Sequence, residues 1–165
     1  PIYEASSGLH KKMTGALLHS GNAAAVATTA GATTLTVTQA AHGNRVVQLN
    51  NTAPIAVTLP QATGTGTVYT FYVSVAATGT SSTISVANAT DIMQGVAWML
   101  STASDAVIGF KTSATSDRIS INGTTQGGVA GDVIYVTDVK TGFFRVDAFM
   151  SPTGTYATGF SAAVS

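Results

Sequence analysis

Cysteine is absent from the 165 residues, which excludes disulfides, a thiolate nucleophile and any cysteine-built zinc or iron–sulfur site. Charge is scarce. Asp, Glu, Lys and Arg make up 8% of the chain, and seven acidic residues cancel seven basic ones. An ordinary soluble domain carries about 25% charged residues. A neutral chain lacks the bulk positive charge that grips nucleic acid or an anionic membrane, so neither is expected as a partner. No apolar run approaches the roughly 18 residues of a membrane-spanning helix. Pro1-Ile2-Tyr3-Glu4 shows no basic segment leading into an apolar one, so no secretory signal is visible.

What is present is small and β-branched. Ser, Thr, Ala and Gly supply about half of the chain. Leu, Ile, Val and Phe still exceed about 20%, enough to build a core, so the composition is not that of a disordered chain. The length fits one domain with appended ends. Such a chain can make a core but has few charges for its surface, and surfaces poor in charge tend to associate. Much of this surface is therefore expected to be covered by partners.

Val, Ile, Thr, Tyr, Phe and Trp outnumber the long helix formers by more than two to one. Such residues pack well on a pleated surface and lose rotamer freedom on a helix. Period-two alternation marks strands at Thr33 to Gln39, at Ile55, Val57 and Leu59, and at Val68 to Val75. Further strands are expected at Arg45 to Leu49, Thr83 to Val86, Ala106 to Phe110, Arg118 to Ile121, Val133 to Val136 and Phe143 to Phe149. The one plausible helical turn in the body is Met93 to Leu100. Glycine-rich and Asn-Gly turns separate the strands, which points to an all-β, antiparallel sandwich or barrel. No fixed-period repeat is evident, which argues against a β-helix or propeller. The organisation expected is an extended N-terminal arm over residues 1–30, a β-rich body over 31–150 and a C-terminal tail over 151–165.

Catalytic patterns are sparse. His10 and His19 lie nine apart without regular structure, and His42 sits in a turn, so all three read as exposed loop histidines and no metal or cofactor is expected. No Gly-x-Ser-x-Gly elbow is present. Asp132, Asp138 and Asp147 fall on or beside neighbouring strands, but carboxylates at strand ends more often cap turns than form a glycosidase pair. Gly127 to Asp132 lacks the Gly-Lys-Ser/Thr of a phosphate loop and reads as a tight turn with glycines at positive φ. Trp98, Tyr69 and Tyr72 are candidates for a sugar-stacking platform, although a lone Trp beside Met99 and Leu100 reads better as core. No enzymatic activity is expected.

Two blocks carry a resemblance. The first runs from Leu35-Thr-Val-Thr through Arg45-Val-Val-Gln-Leu-Asn-Asn to Val57-Thr-Leu-Pro-Gln-Ala-Thr-Gly-Thr-Gly-Thr and Tyr69-Thr-Phe-Tyr-Val. The second is Gly131-Asp-Val-Ile-Tyr-Val-Thr-Asp-Val, then Gly142-Phe-Phe-Arg-Val-Asp-Ala and Gly154-Thr-Tyr-Ala-Thr. Together these resemble the capsid cement, or head-decoration, proteins of tailed bacteriophages, and related blocks occur in phage fibre-like proteins. The resemblance spans roughly residues 33 to 158 and consists of turn-and-strand punctuation; Phe144 stands where that family often has Trp. It implies a structural virion protein on the outer capsid surface, commonly a homotrimer, that clamps neighbouring major capsid subunits. Ile2, Tyr3, Leu9, Lys11, Lys12, Leu17 and Leu18 of the arm are then the expected capsid or subunit contacts. The alternative is a tail-fibre or receptor-binding β module that reads host surface glycans. A glycan reader needs an open aromatic platform and can do without the arm; a decoration protein uses the arm and needs no platform.

Overall fold

The computed structural model describes residues 32–76, 78, 80–101 and 106–164, together with the backbone strand at Val26–Ala27. Among these residues the chain is a two-layer all-β sandwich, as expected. One sheet has seven strands and the other five. In chain order the strands are β1 (Val26–Ala27), β2 (Thr34–Thr36), β3 (Arg45–Leu49), β4 (Ala56–Thr58), β5 (Val68–Val73), β6 (Ser82–Ser85) and β7 (Ile92–Leu100), then β8 (Val107–Lys111), β9 (Arg118–Ile121), β10 (Val133–Lys140), β11 (Phe143–Met150) and β12 (Phe160–Ser161). The larger sheet is ordered β1-β3-β5-β10-β11-β7-β8 and the smaller β12-β9-β6-β4-β2.

Alternation along each strand decides what enters the core. In the smaller sheet one register row, Leu35–Val57–Ile84–Ile119–Phe160, points inward across all five strands. The larger sheet answers with Val47, Phe71, Ile134 and Ala148 in one row and Tyr69, Val136 and Val146 in another. Tyr69, Phe71, Phe144, Ile84 and Ile119 are all at most 1% exposed. Burying side chains of this size contributes about 1.5–3 kcal/mol each, which offsets the ordering cost of a Thr- and Gly-rich chain.

Strand direction differs from a purely antiparallel reading. From β1 to β7 each strand lies in the sheet opposite to the one before it. Two crossings return the chain to its starting sheet in the same direction, so β1, β3 and β5 pair in parallel, as do β2, β4 and β6. The first half of the body is therefore a short flattened coil. Its turn length drifts: Val26 pairs with Val47 and Val47 with Phe71, while Leu35 pairs with Val57 and Val57 with Ile84. A coil whose turn varies from 21 to 27 residues leaves no fixed period in the sequence. The second half is mixed, with hairpins β7–β8 and β10–β11 antiparallel and β7 lying parallel to β11.

Met93 to Leu100, expected as a helical turn, is part of strand β7. Met93, Ala97 and Met99 point inward, and Gly95 holds the fourth inward place. A Cβ at Gly95 would lie 1.7 Å from the Val146 carbonyl oxygen, so glycine lets β7 approach β11 there. The helical turn that does form is Gln39–His42, where the Thr38 hydroxyl accepts from the Ala41 N–H. The segment expected as a tail docks on the body: β12 pairs with β9, and Tyr156, Phe160 and Val164 pack against the core. Of the expected arm, only the Val26–Ala27 strand lies among the described residues.

Buried carboxylates tie the connections to the sheets. Asp138 on β10 accepts from the N–H groups of Thr63, Gly64 and Thr65, at 2.7 Å for Gly64, and from the Thr65 hydroxyl at 2.9 Å. It thereby clamps the β4–β5 connection onto the larger sheet. Asp132 accepts from Gly128, Val129 and Ser151, Asp117 from Ala163 and Val164, and Asp91 from Ala62. Burial alone pushes the Asp138 carboxyl upward, but the Gly64, Thr65 and Thr63 donors outweigh it and hold it below the ordinary value. At Asp132 burial wins over its donors and the carboxyl is pushed up.

Two outcomes are expected. Phe71→Ala removes a fully buried ring and lowers stability by about 3–5 kcal/mol, read from the urea midpoint of unfolding. An unchanged midpoint would show that the inner face of β5 carries no core. For Asp138 the folded-state value lies below the unfolded one, so its contribution is present above about pH 4 and is lost as pH falls through the lowered folded value. Asp138→Asn therefore destabilises by roughly 1.5–3 kcal/mol at pH 7 and by clearly less at pH 3. Equal losses at both pH values would remove the carboxylate from this role.

Candidate functional site

The two outer faces of the sandwich differ in chemistry. On the five-stranded sheet the outward rows are Thr34–Ala56–Thr83–Ser120 and Thr36–Thr58–Ser85–Arg118. These are short hydroxyl side chains, with Arg118 Nε donating to Ser85 Oγ at 2.8 Å. Such a face is hydrated without help.

The seven-stranded sheet is apolar on its inner side and over one end of its outer side. Its outward register row runs Gln48–Tyr72–Val133–Phe149–Trp98–Gly109 across six strands. Phe149 is 55% exposed and Trp98 47%. Tyr135, one row along, meets Phe149 edge to face, with centroids 6.5 Å apart and planes at 77°. Leu100 and Val107, paired on β7 and β8, continue the patch and are also exposed. The indole of Trp98 lies over Gly109: a Cβ there would sit 3.0 Å from Cζ3. The glycine thus lets the ring lie down on the neighbouring strand. A shallow depression of about 490 Å³ between Trp98, Phe149, Leu100 and Val107 is floored by Met150 and Ser151.

The other end of the same face is polar. Arg145 Nε meets Asp147 Oδ2 at 2.6 Å, and both nitrogens of the fork engage the carboxylate. This pair is exposed and contributes little to stability. Lys140 Nζ stands 3.8 Å over the Phe143 ring. Gln94, Lys111, Thr112 and Arg145 border a groove of about 760 Å³.

Trp98 is therefore surface and not core, while Tyr69, grouped with it as a possible platform, is buried on the inner face. Tyr72 stands outward as that grouping requires. Tyr69 and Tyr72 are three apart, so strand alternation sends them to opposite faces. The signal that finds this site is an apolar series on both faces of one strand: Met93, Ala97 and Met99 against Ile92, Val96, Trp98 and Leu100. In a parallel or fully covered sheet that pattern means burial on both sides.

The titratable side chains are engaged elsewhere. His42, expected in an exposed turn, is 8% exposed; its Nδ1 accepts from the Thr38 N–H at 3.0 Å and closes the helical turn. Asp132 and Asp138 lie at opposite ends of β10, roughly 20 Å apart at strand rise. Asp147 points outward, so the three carboxylates do not converge. Gly127, Gly128 and Gly131 all have positive φ, as the tight-turn reading requires. Among the described residues no three His or acidic side chains could share a metal ion, no buried side-chain N or O lacks a partner, and no helix is long and apolar enough to cross a membrane. The expected contact residues Ile2, Tyr3, Leu9, Lys11, Lys12, Leu17 and Leu18, together with His10 and His19, lie outside the described residues. No protein-family model, curated protein or solved structure matches this chain.

Proposed function

We propose that this chain is a structural virion protein that works by covering and joining surfaces, in the manner of a capsid-decoration subunit. The observation that carries this reading is the apolar outer face of the seven-stranded sheet in a chain with 8% charge. The largest apolar patch on a protein of this kind is itself often a functional contact. The buried carboxylates support a non-catalytic role, because backbone donors already occupy Asp91, Asp117, Asp132 and Asp138. The major capsid protein as partner, a three-fold arrangement and an outer-capsid location follow from the resemblance. The arm, with Ile2, Tyr3, Leu9, Lys11, Lys12, Leu17 and Leu18, supplies the strap. Docking apolar anchors at about 25 cal/mol per Å² against about 1–2 kcal/mol of ordering per residue leaves one arm weak. Several arms on one shell then act together.

A second reading has its own support. An indole laid flat over Gly109, beside a groove bordered by Gln94, Lys111 and Arg145, offers a stacking surface with polar neighbours, as a glycan reader needs.

Mixing purified protein with expanded shells lacking it tests the first reading. Stoichiometric addition is expected. Deleting residues 2–20 should leave the β body folded and sharply lower occupancy. Lys11→Ala with Lys12→Ala should give a smaller loss that shrinks at high salt. No addition by the full chain, combined with saturable binding of neutral oligosaccharides that perturbs Trp98 fluorescence, would replace the decoration reading with the glycan one.

A further inference from the structure

The outer face of the seven-stranded sheet asks for a specific occupant. Tyr72, Tyr135, Phe149, Trp98, Leu100 and Val107 are each between 36% and 64% exposed and lie in adjacent register rows. At about 150–250 Å² for a whole aromatic side chain, these fractions leave on the order of 500 Å² of apolar surface in one patch. The largest patch on a typical monomer is about 300–600 Å² and is itself often functional. An interface that is about 65% apolar, built around this patch, would cover about 800 Å² per copy, which is the standard size for a stable pair.

We infer that this face pairs with the same face of a second copy of the chain, stacking two seven-stranded sheets about a two-fold axis, in place of the three-fold arrangement that the resemblance implies. The inference rests on the reading of this face as a protein contact and names the partner. Three observations favour a second copy over an unlike protein. The patch is made of side chains that interdigitate with their own kind: two tyrosines, a phenylalanine, a tryptophan and two aliphatics. Electrostatics does not oppose it, because Arg145 and Asp147 at its border neutralise each other and the chain has no net charge. The opposite outer face is a hydroxyl surface that needs no cover, so the sandwich has one face to bury and one to wet. Two copies stacked this way expose hydroxyl faces at both ends and stop growing, as an isologous contact does.

Trp98 is the only tryptophan, so it reports on this face alone. Sedimentation and intrinsic fluorescence of the full chain across a dilution series test the pairing. The expected result is a mass of two chains that halves on dilution, with the Trp98 emission moving red and iodide quenching rising over the same concentrations. Phe149→Arg should weaken pairing at least about tenfold while circular dichroism stays unchanged, since the ring is more than half exposed. Val107→Glu, 64% exposed at the patch edge, is the second variant and should act in the same direction. A monomer at all concentrations overturns the inference. So does a larger assembly in which Trp98 stays water-exposed and Phe149→Arg changes nothing, because another surface then joins the copies. Blue, quencher-protected emission in a monomer that turns red on removing residues 1–25 overturns it too, with the chain's own N-terminal segment as occupant. Shell occupancy separates the two claims: a Phe149→Arg monomer that still adds to shells leaves the virion reading standing without the pair.

Discussion

From β2 to β6 no strand can hydrogen-bond to the strand that follows it, because each step of the chain changes sheet. Leu35, Val57 and Ile84 come together only after β3 and β5 have been laid across from them. The coil's share of the core is therefore assembled from pairings at least 21 residues apart, and neither layer of this coil is sound without the other. Folding of such topologies is slowed by loop closure ahead of the contacts that reward it. The buried aspartates counter this geometry. Asp138 gathers Thr63, Gly64 and Thr65, and Asp117 gathers Ala163 and Val164, fixing connections that Thr and Gly would leave loose.

Much of this was legible in the residues. The bounds of Arg118 to Ile121 are legible because Ile119 and Ile121 alternate with polar residues and Asn122-Gly123 follows, and those of Arg45 to Leu49 because a β-branched run lies between turn residues. Strand direction was not legible. Alternation reports which side chains share a face but not which strand lies alongside, and the parallel coil conceals itself by changing its turn length. β7 was misread because four residues on its outer face are as apolar as those on its inner face, so no polar alternation separates strand from helix. Trp98 was read as core for the same reason. The anchoring aspartates were legible only as residues near turns; the backbone donors of Asp91, Asp117 and Asp138 come from 29 to 75 positions away.

The two outer faces of the sandwich contrast more sharply than any pocket on it. A sandwich with hydroxyls outward on one sheet and aromatics outward on the other has a direction, although its charge is nil. The same seven-stranded sheet grades from Trp98 and Phe149 at one end to the Arg145–Asp147 pair at the other, so the proposed contact would have a fixed orientation on it. Gly95 and Gly109 shape that sheet from its two faces. The first, on the inner face, draws β7 against β11, and the second, on the outer face, leaves room for the Trp98 indole.

The drift in turn length of the parallel coil has an evolutionary consequence. Moving a strand by one position would turn its inner row outward, so strands resist insertion. The corners between sheets do not share that constraint: turns of 21 and of 27 residues coexist in one coil with every inner row in register. Residues gained or lost at a corner away from its buried anchors, such as Leu59 and Ala62, leave the inner rows in place. Lineages of this chain can therefore diverge in length at the corners, above all between β5 and β6 within the 27-residue turn from Val57 to Ile84, and the same corner is where a foreign peptide could be carried.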